Sequence, residues 1–228
     1  RWNTPPARGR RAAAEGIATA TPSSLILRIC CLVHAVQDGL TSTIYVLLPV
    51  LARTLGLDLG EVGLLKGVKS LVQGLLELVS GVASERFGDR GLLVLGLLAS
   101  GCGYLLFPLA GGTAGVLGCL VVVGVGTAFQ HAPASALVSR AHATGGLRGA
   151  LGLYNSAGDA GKLLFTTAFG LAIGAGLAWR PVAFVFGVVA LLTALLVLAA
   201  GRAAAVATPP ATVSPSGGQD ADGDGWGI

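Results

Sequence analysis

The chain has 228 residues, 53% of them hydrophobic and only 11% charged, with a mean hydropathy of +0.77. That composition excludes an ordinary soluble domain and makes lipid the expected solvent. The formal charge of +4 does not point to nucleic acid, because the arginines fall at the ends of apolar segments and not in one basic patch.

Residues 1–23, which begin RWNTPPARGRRAAAEG, are basic, contain prolines and read as a tail. The first long apolar window covers 24–51. It exceeds a secretory signal core, contains Asp38 and is followed by five more windows, so it is expected to be a mature helix. Those windows are 61–83, 91–110, 114–139, 149–175 and 181–201, each close to the ~20 residues that a bilayer-crossing helix needs. The expected fold class is an all-α membrane protein, with six transmembrane helices forming one bundle over 24–201. Residues 202–228 are rich in Pro, Gly and Asp and read as a second flexible tail. Within it, DADGDG carries the alternating Asp220, Asp222 and Asp224 of a calcium loop but no closing Glu, so a solvated acidic tail is expected.

The arginines set an expected orientation. Arg1, Arg8, Arg10, Arg11, Arg86, Arg90, Arg140, Arg148 and Arg202 fall on one set of connections, whereas the alternate set carries Arg53 and Arg180. By the positive-inside rule both termini are cytoplasmic and the chain is multi-pass in a cell membrane, the inner membrane of a bacterium. The short connections GGTAG (111–115) and AWRP (178–181) make successive spans antiparallel neighbours.

Ionisable groups are costly inside a bilayer and mark interior or watery faces. Span one carries His34 and Asp38; span two carries Lys66, Lys69, Gln73 and Glu77; span four carries Gln130 and His131; span five carries Tyr154, Asn155, Asp159 and Lys162. The spacings i, i+4 and i, i+4, i+7 give each helix one polar stripe. Spans three and six have no charge between their ends and are expected to face lipid. The order polar, polar, bare, repeated, suggests a 3+3 inverted repeat. Blander readings stand beside these. Lys66 can snorkel to an interface, Asp159 and Lys162 can be a structural pair, and either histidine can be a buried hydrogen-bonding ring.

Cys30, Cys31, Cys102 and Cys119 lie within spans, without a CxxC pair or a histidine at ligand spacing, so neither a disulfide framework nor a metal site is expected. No cofactor is expected either. Hydrolytic and phosphate-loop motifs are missing, which argues against an enzyme.

Between spans two and three stands GVASERFGDRG, residues 81–91. It resembles the loop of the major facilitator superfamily written G-x-L-A-D-R-x-G-R-K, with Gly81, Arg86, Gly88 and Arg90 in register, Glu85 for the acidic residue, Ser84 for Ala and Asp89 for a basic one. The segments HAVQDGLTSTIYVLLP, GTAFQHAPASALVSRA and RGALGLYNSAGDAGK are similar to helices one, four and five of bacterial exporters of the fosmidomycin-resistance type. The resemblance covers roughly residues 25–175 and corresponds to an amino-terminal six-helix half. Three explanations of the missing half stay open: a fragment of a longer protein, a half-size transporter that pairs with itself or with another half, or a degenerate product without transport. The lack of any Met fits a processed or incomplete chain. The resemblance also implies a gating loop, in which Gly81 permits close helix approach and Glu85 and Arg86 make the charge contacts of a latch.

The function expected from these features is secondary active transport of a small solute by alternating access, coupled to protons. Asp38 and His34 are the first candidates for coupling, followed by Glu77 and Asp159. Lys66, Lys69, Gln73, Gln130, His131, Tyr154, Asn155 and Lys162 are candidates to line the solute path. The competing expectation is a non-transporting assembly subunit or scaffold, whose interior charges are structural pairs.

Overall fold

A computed structural model of the protein describes residues 22–207, with side-chain surroundings for 23–200. The predicted tails, including Asp220, Asp222 and Asp224, lie mostly or wholly outside the described residues. Seven α-helices follow one another: α1 Pro22–Leu55, α2 Leu59–Phe87, α3 Asp89–Leu106, α4 Gly112–Ala128, α5 His131–Ala141, α6 Leu147–Gly174 and α7 Trp179–Ala207, with a short 3-10 turn, Phe107–Leu109, after α3.

Local chemistry sets these limits. Asp58 caps α2 by accepting from the Glu61 backbone N–H, while the Glu61 carboxylate accepts from the Asp58 N–H in return. Gly88, at φ 74°, turns the chain between α2 and α3 in a backbone region that a side chain disfavours. The predicted fourth span is two rods, α4 and α5, separated at Phe129 and Gln130. Pro133 explains the break: it has no N–H for the Phe129 carbonyl four residues back, and its ring crowds that carbonyl. Counted as one broken rod, α4 and α5 bring the described residues to six long helical rods.

Among the described residues, four stretches are long and apolar enough to cross a membrane: Ser23–Leu55, Asp89–Leu109, Gly112–Ala141 and Trp179–Ala200. Helices α2 and α6, with 29 and 28 residues, have spanning length but carry more of the charged groups. α1 packs mainly on α6, α3 on α7 and α4, and α2 on α4.

The lipid-facing role expected for span three is not what the structure shows. Leu92, Leu93, Leu97, Ser100 and Tyr104 of α3 are buried, because α3 runs between α4 and α7. It lacks charges because it is packed on several sides, and small residues let its neighbours come close: a Cβ on Gly96 would stand 2.7 Å from the Gly126 carbonyl of α4. Much of the exposed apolar surface lies on α2 and α6 instead, at Leu71, Leu75, Leu78, Leu163, Leu164 and Leu171.

Candidate functional site

The polar interior is built around Asp38, at mid-length of α1. One helical turn before it, His34 projects from the same face and places its Nε2 3.2 Å from Asp38 Oδ2. α6 closes one side. The Nζ of Lys162 stands 3.2 Å from the same oxygen and 3.0 Å from Asp159 Oδ1, so this ammonium bridges two carboxylates. α5 supplies His131, whose Nε2 lies 3.7 Å from Asp38 Oδ1. Asp38 and His34 are buried, whereas Lys162 and Asp159 reach the exposed face of α6.

The break in the fourth span has a role in this geometry. His131 is the first residue of α5, so the partly positive N-terminal end of that rod begins at the side chain that faces the Asp38 carboxylate. Interrupted helices place such ends inside membrane proteins where ions or polar solutes are held.

His34 is fixed from behind. Its Nδ1 lies 2.9 Å from the carbonyl oxygen of Tyr154, and the two rings stack with centroids 4.1 Å apart. A carbonyl oxygen only accepts, so Nδ1 carries the hydrogen. Nε2 then faces the Asp38 carboxyl at 3.2 Å. Gly158 makes this fit possible, since a Cβ there would come within 2.6 Å of His34 Nε2.

The other sequence candidates sort by position. Lys69 of α2 is buried, donates to Gln73 Oε1 at 2.5 Å, and feels the charges of Asp38 and Glu77. Glu77 also influences His131 but makes no ion pair among the described residues. Lys66 is exposed and rests its ammonium over the Tyr45 ring, 4.6 Å from the centroid, so it lies away from Asp38. Asn155 is exposed. Gln130 is buried and neither atom of its amide has a hydrogen-bond partner. The Tyr154 hydroxyl is close to Gln130 and Ser135 but makes no hydrogen bond of ordinary geometry.

Several polar contacts were not legible in the sequence. Gln37 of α1 is buried and donates to Ser100 Oγ of α3 at 2.5 Å, and Thr41 meets Thr127 of α4 at 3.2 Å. Buried Gln37 lies between His34 and Asp38 in sequence, and its neighbourhood to two charged residues was the available signal.

At the far end of α5 the loop of residues 81–91 makes other contacts than those expected of it. Gly81 is exposed with nothing within 4 Å of a built Cβ, so it mediates no close approach among the described residues. Glu85 and Arg86 are exposed and make no ion pair among the described residues. The contact is made instead by Asp89, which is buried at the start of α3, pairs with Arg140 at the end of α5 and accepts from the Ser84 hydroxyl. Asp89, where the family pattern has a basic residue, is therefore the one that ties two helices together. Gly88 forms the turn that presents Asp89, and Arg90 follows it, half-buried.

The sequence suggested no metal set, yet His34, Asp38 and His131 offer ligand atoms within 4.8 Å of one another. His131 comes from a distant part of the chain, so spacing did not reveal it.

Comparison with known proteins bears on the same residues. Over 147 residues the chain is 27% identical to "Uncharacterized MFS-type transporter YfnC" of Bacillus subtilis (strain 168), covering 64% of this chain and 35% of that protein. Over 153 residues it is 29% identical to "Fosmidomycin resistance protein" of Escherichia coli (strain K12), covering 67% of this chain and 37% of that protein. The chain thus spans little more than a third of the length of these curated relatives. The family model of the Major Facilitator Superfamily matches residues 30–223, a stretch that contains the Asp38 cluster, the broken fourth span and the Asp89 contact. With six long helical rods and this match over most of its length, the chain is a multi-pass membrane protein of the major facilitator superfamily, a family of transporters and not of enzymes.

Proposed function

We infer that this chain takes part in secondary active transport of a small solute by alternating access, coupled to protons at the Asp38–His34 pair. The observation that carries this reading is the convergence of His34, His131 and Lys162 on the buried Asp38 carboxyl. A buried carboxyl beside two imidazoles, set between packed helices, is suited to exchanging a proton when the helices move. Solute contacts come from residues on the polar faces: Lys69, Gln73, Gln130, His131, Tyr154 and Lys162, with Lys66, Asn155, Glu77 and Asp159 nearer the exposed faces.

Gating at the cytoplasmic end is assigned to the Gly81–Arg90 loop through Asp89 and Arg140. The six rods are read as a 3+3 inverted repeat, with both termini in the cytoplasm and the bilayer an inner membrane of the exporting kind. A complete solute path needs a second six-helix half, in the same chain, a second copy or a partner. The length of the curated relatives supports that requirement.

The competing reading is a membrane scaffold. It is favoured by one observation: Asp38 already has neutralising partners in His34 and Lys162. The test that separates the two is transport in proteoliposomes under an imposed pH gradient. Asp38→Asn is expected to abolish gradient-driven movement while the helical content and melting midpoint stay unchanged. Gradient-driven transport at the unaltered rate in that variant would remove Asp38 from the coupling step.

A further inference from the structure

We propose that the His34–Asp38–His131 cluster is a binding site for a divalent transition ion of the cobalt, nickel and zinc class, with Lys162 as its built-in competitor. The proposal takes the location of the transport site from the reading above and names a ligand chemistry for it.

Three observations support it. Two imidazole nitrogens and a carboxylate, from α1 and α5, place ligand atoms within 4.8 Å of one another. Three donors bound at ~2.0–2.2 Å to a tetrahedral ion stand about 3.3–3.6 Å from one another, so a movement of roughly 1.5 Å by His131 toward His34 closes the set. The His131 side chain, 37% exposed, has the freedom to make it.

The second observation is the support behind a ligand. His34 Nδ1 donates to the Tyr154 carbonyl, which leaves Nε2 aimed at Asp38 and fixes the ring. Metal-binding histidines are held in this way by a backbone carbonyl or carboxylate on the opposite nitrogen. The donor set of two imidazoles and one carboxylate suits borderline ions better than calcium or magnesium, which take oxygen ligands.

The third is the position of Lys162. Its ammonium occupies the same Asp38 oxygen as His34 and already touches Asp159, its alternative partner, at 3.0 Å. When an ion arrives, the ammonium moves fully onto Asp159, and any hydrogen on His34 Nε2 or on the Asp38 carboxyl leaves as a proton. The divalent ion thereby replaces the ammonium contact. The site is occupied by lysine or by metal, not by both.

The experiment is a Co2+ titration of the full chain in lipid nanodiscs, read by the visible absorption of the bound ion. A saturable band of one Co2+ per chain is expected. His131→Ala and Asp38→Asn are each expected to weaken it at least about tenfold, while Lys162→Gln keeps the band and strengthens binding. Because His131 is partly exposed, its truncation tests the ligand without emptying a core position, and circular dichroism of each variant confirms the fold. The absence of a saturable band overturns the proposal. So does a band that survives unchanged in His131→Ala and Asp38→Asn, which places the ion elsewhere, on His142 or on the Asp220–Asp224 tail. The reading needs no transport, so loss of proton-driven movement with an intact Co2+ band, or the reverse, separates failure of the transport reading from failure of this one.

Discussion

Gly161 of α6 lies so close to Ala35 of α1 that a β-carbon on it would overlap the Ala35 carbonyl. These two helices form one of the main packing contacts of the fold, and Gly161 sets their separation. Gly161→Ala is therefore expected to force α1 and α6 apart and destabilise the protein by on the order of 1–3 kcal/mol, as overpacking does. The loss is measured as a lowered melting midpoint in detergent.

Gly158→Ala is expected to act differently. Its new methyl meets the His34 ring, not backbone, so the ring moves and the helices keep their distance. The expected outcome is a melting midpoint closer to that of the parent than Gly161→Ala gives, together with the loss of proton-driven transport shown by Asp38→Asn. A Gly158→Ala protein that transports at the parental rate would show that His34 need not hold its place beside Asp38.

The Asp89–Arg140 contact gives a test by charge exchange. Arg140→Ala leaves a buried carboxylate with only the Ser84 hydroxyl, at an expected cost of about 1–3 kcal/mol for a charge-assisted partner lost. Asp89→Arg alone is expected to cost more, because two cations then meet. The double variant Asp89→Arg with Arg140→Asp is expected to recover most of the loss, and a double-mutant cycle of melting midpoints measures the recovery.

Gln37 and Ser100 provide a third, more local pair. Ser100→Ala leaves the buried Gln37 amide N–H without its acceptor and is expected to destabilise by roughly 1–3 kcal/mol. Replacing both partners, as Gln37→Leu with Ser100→Ala, is expected to be milder than Ser100→Ala alone. Chemical unfolding in mixed micelles ranks the two variants.

Much of the architecture was legible in the sequence because apolar length and charge order are one-dimensional signals. The i, i+4 spacing of His34 and Asp38 gave their shared face. It did not give Lys162 as the neighbour of Asp38, because that contact depends on how closely α6 approaches α1, which Gly161 decides. The same limit applies to Lys66 and Asn155. Their polarity suggested the interior, but their rotation about α2 and α6 places them on exposed faces. α3 was misread for a related reason. A helix without charges is apolar whether lipid or protein covers it, and packing between α4 and α7 settled which. Asp89 looked like a defect in a loop pattern, and its value became visible only when the fold brought Arg140 beside it.

The eleven-residue rod α5 carries His131 at its first position and Arg140 near its last. Pro133 frees its start from the hydrogen-bond ladder of α4, so the rod is joined to its predecessor by a pivot. The two ends lie about 14 Å apart along the axis, given 1.5 Å of rise per residue. One end faces the Asp38 carboxylate and the other holds Asp89. A tilt of such a rod would move both ends at once. If tilting α5 draws His131 toward Asp38 and strains the Arg140 contact, then locking that contact must weaken binding at Asp38 by the same factor.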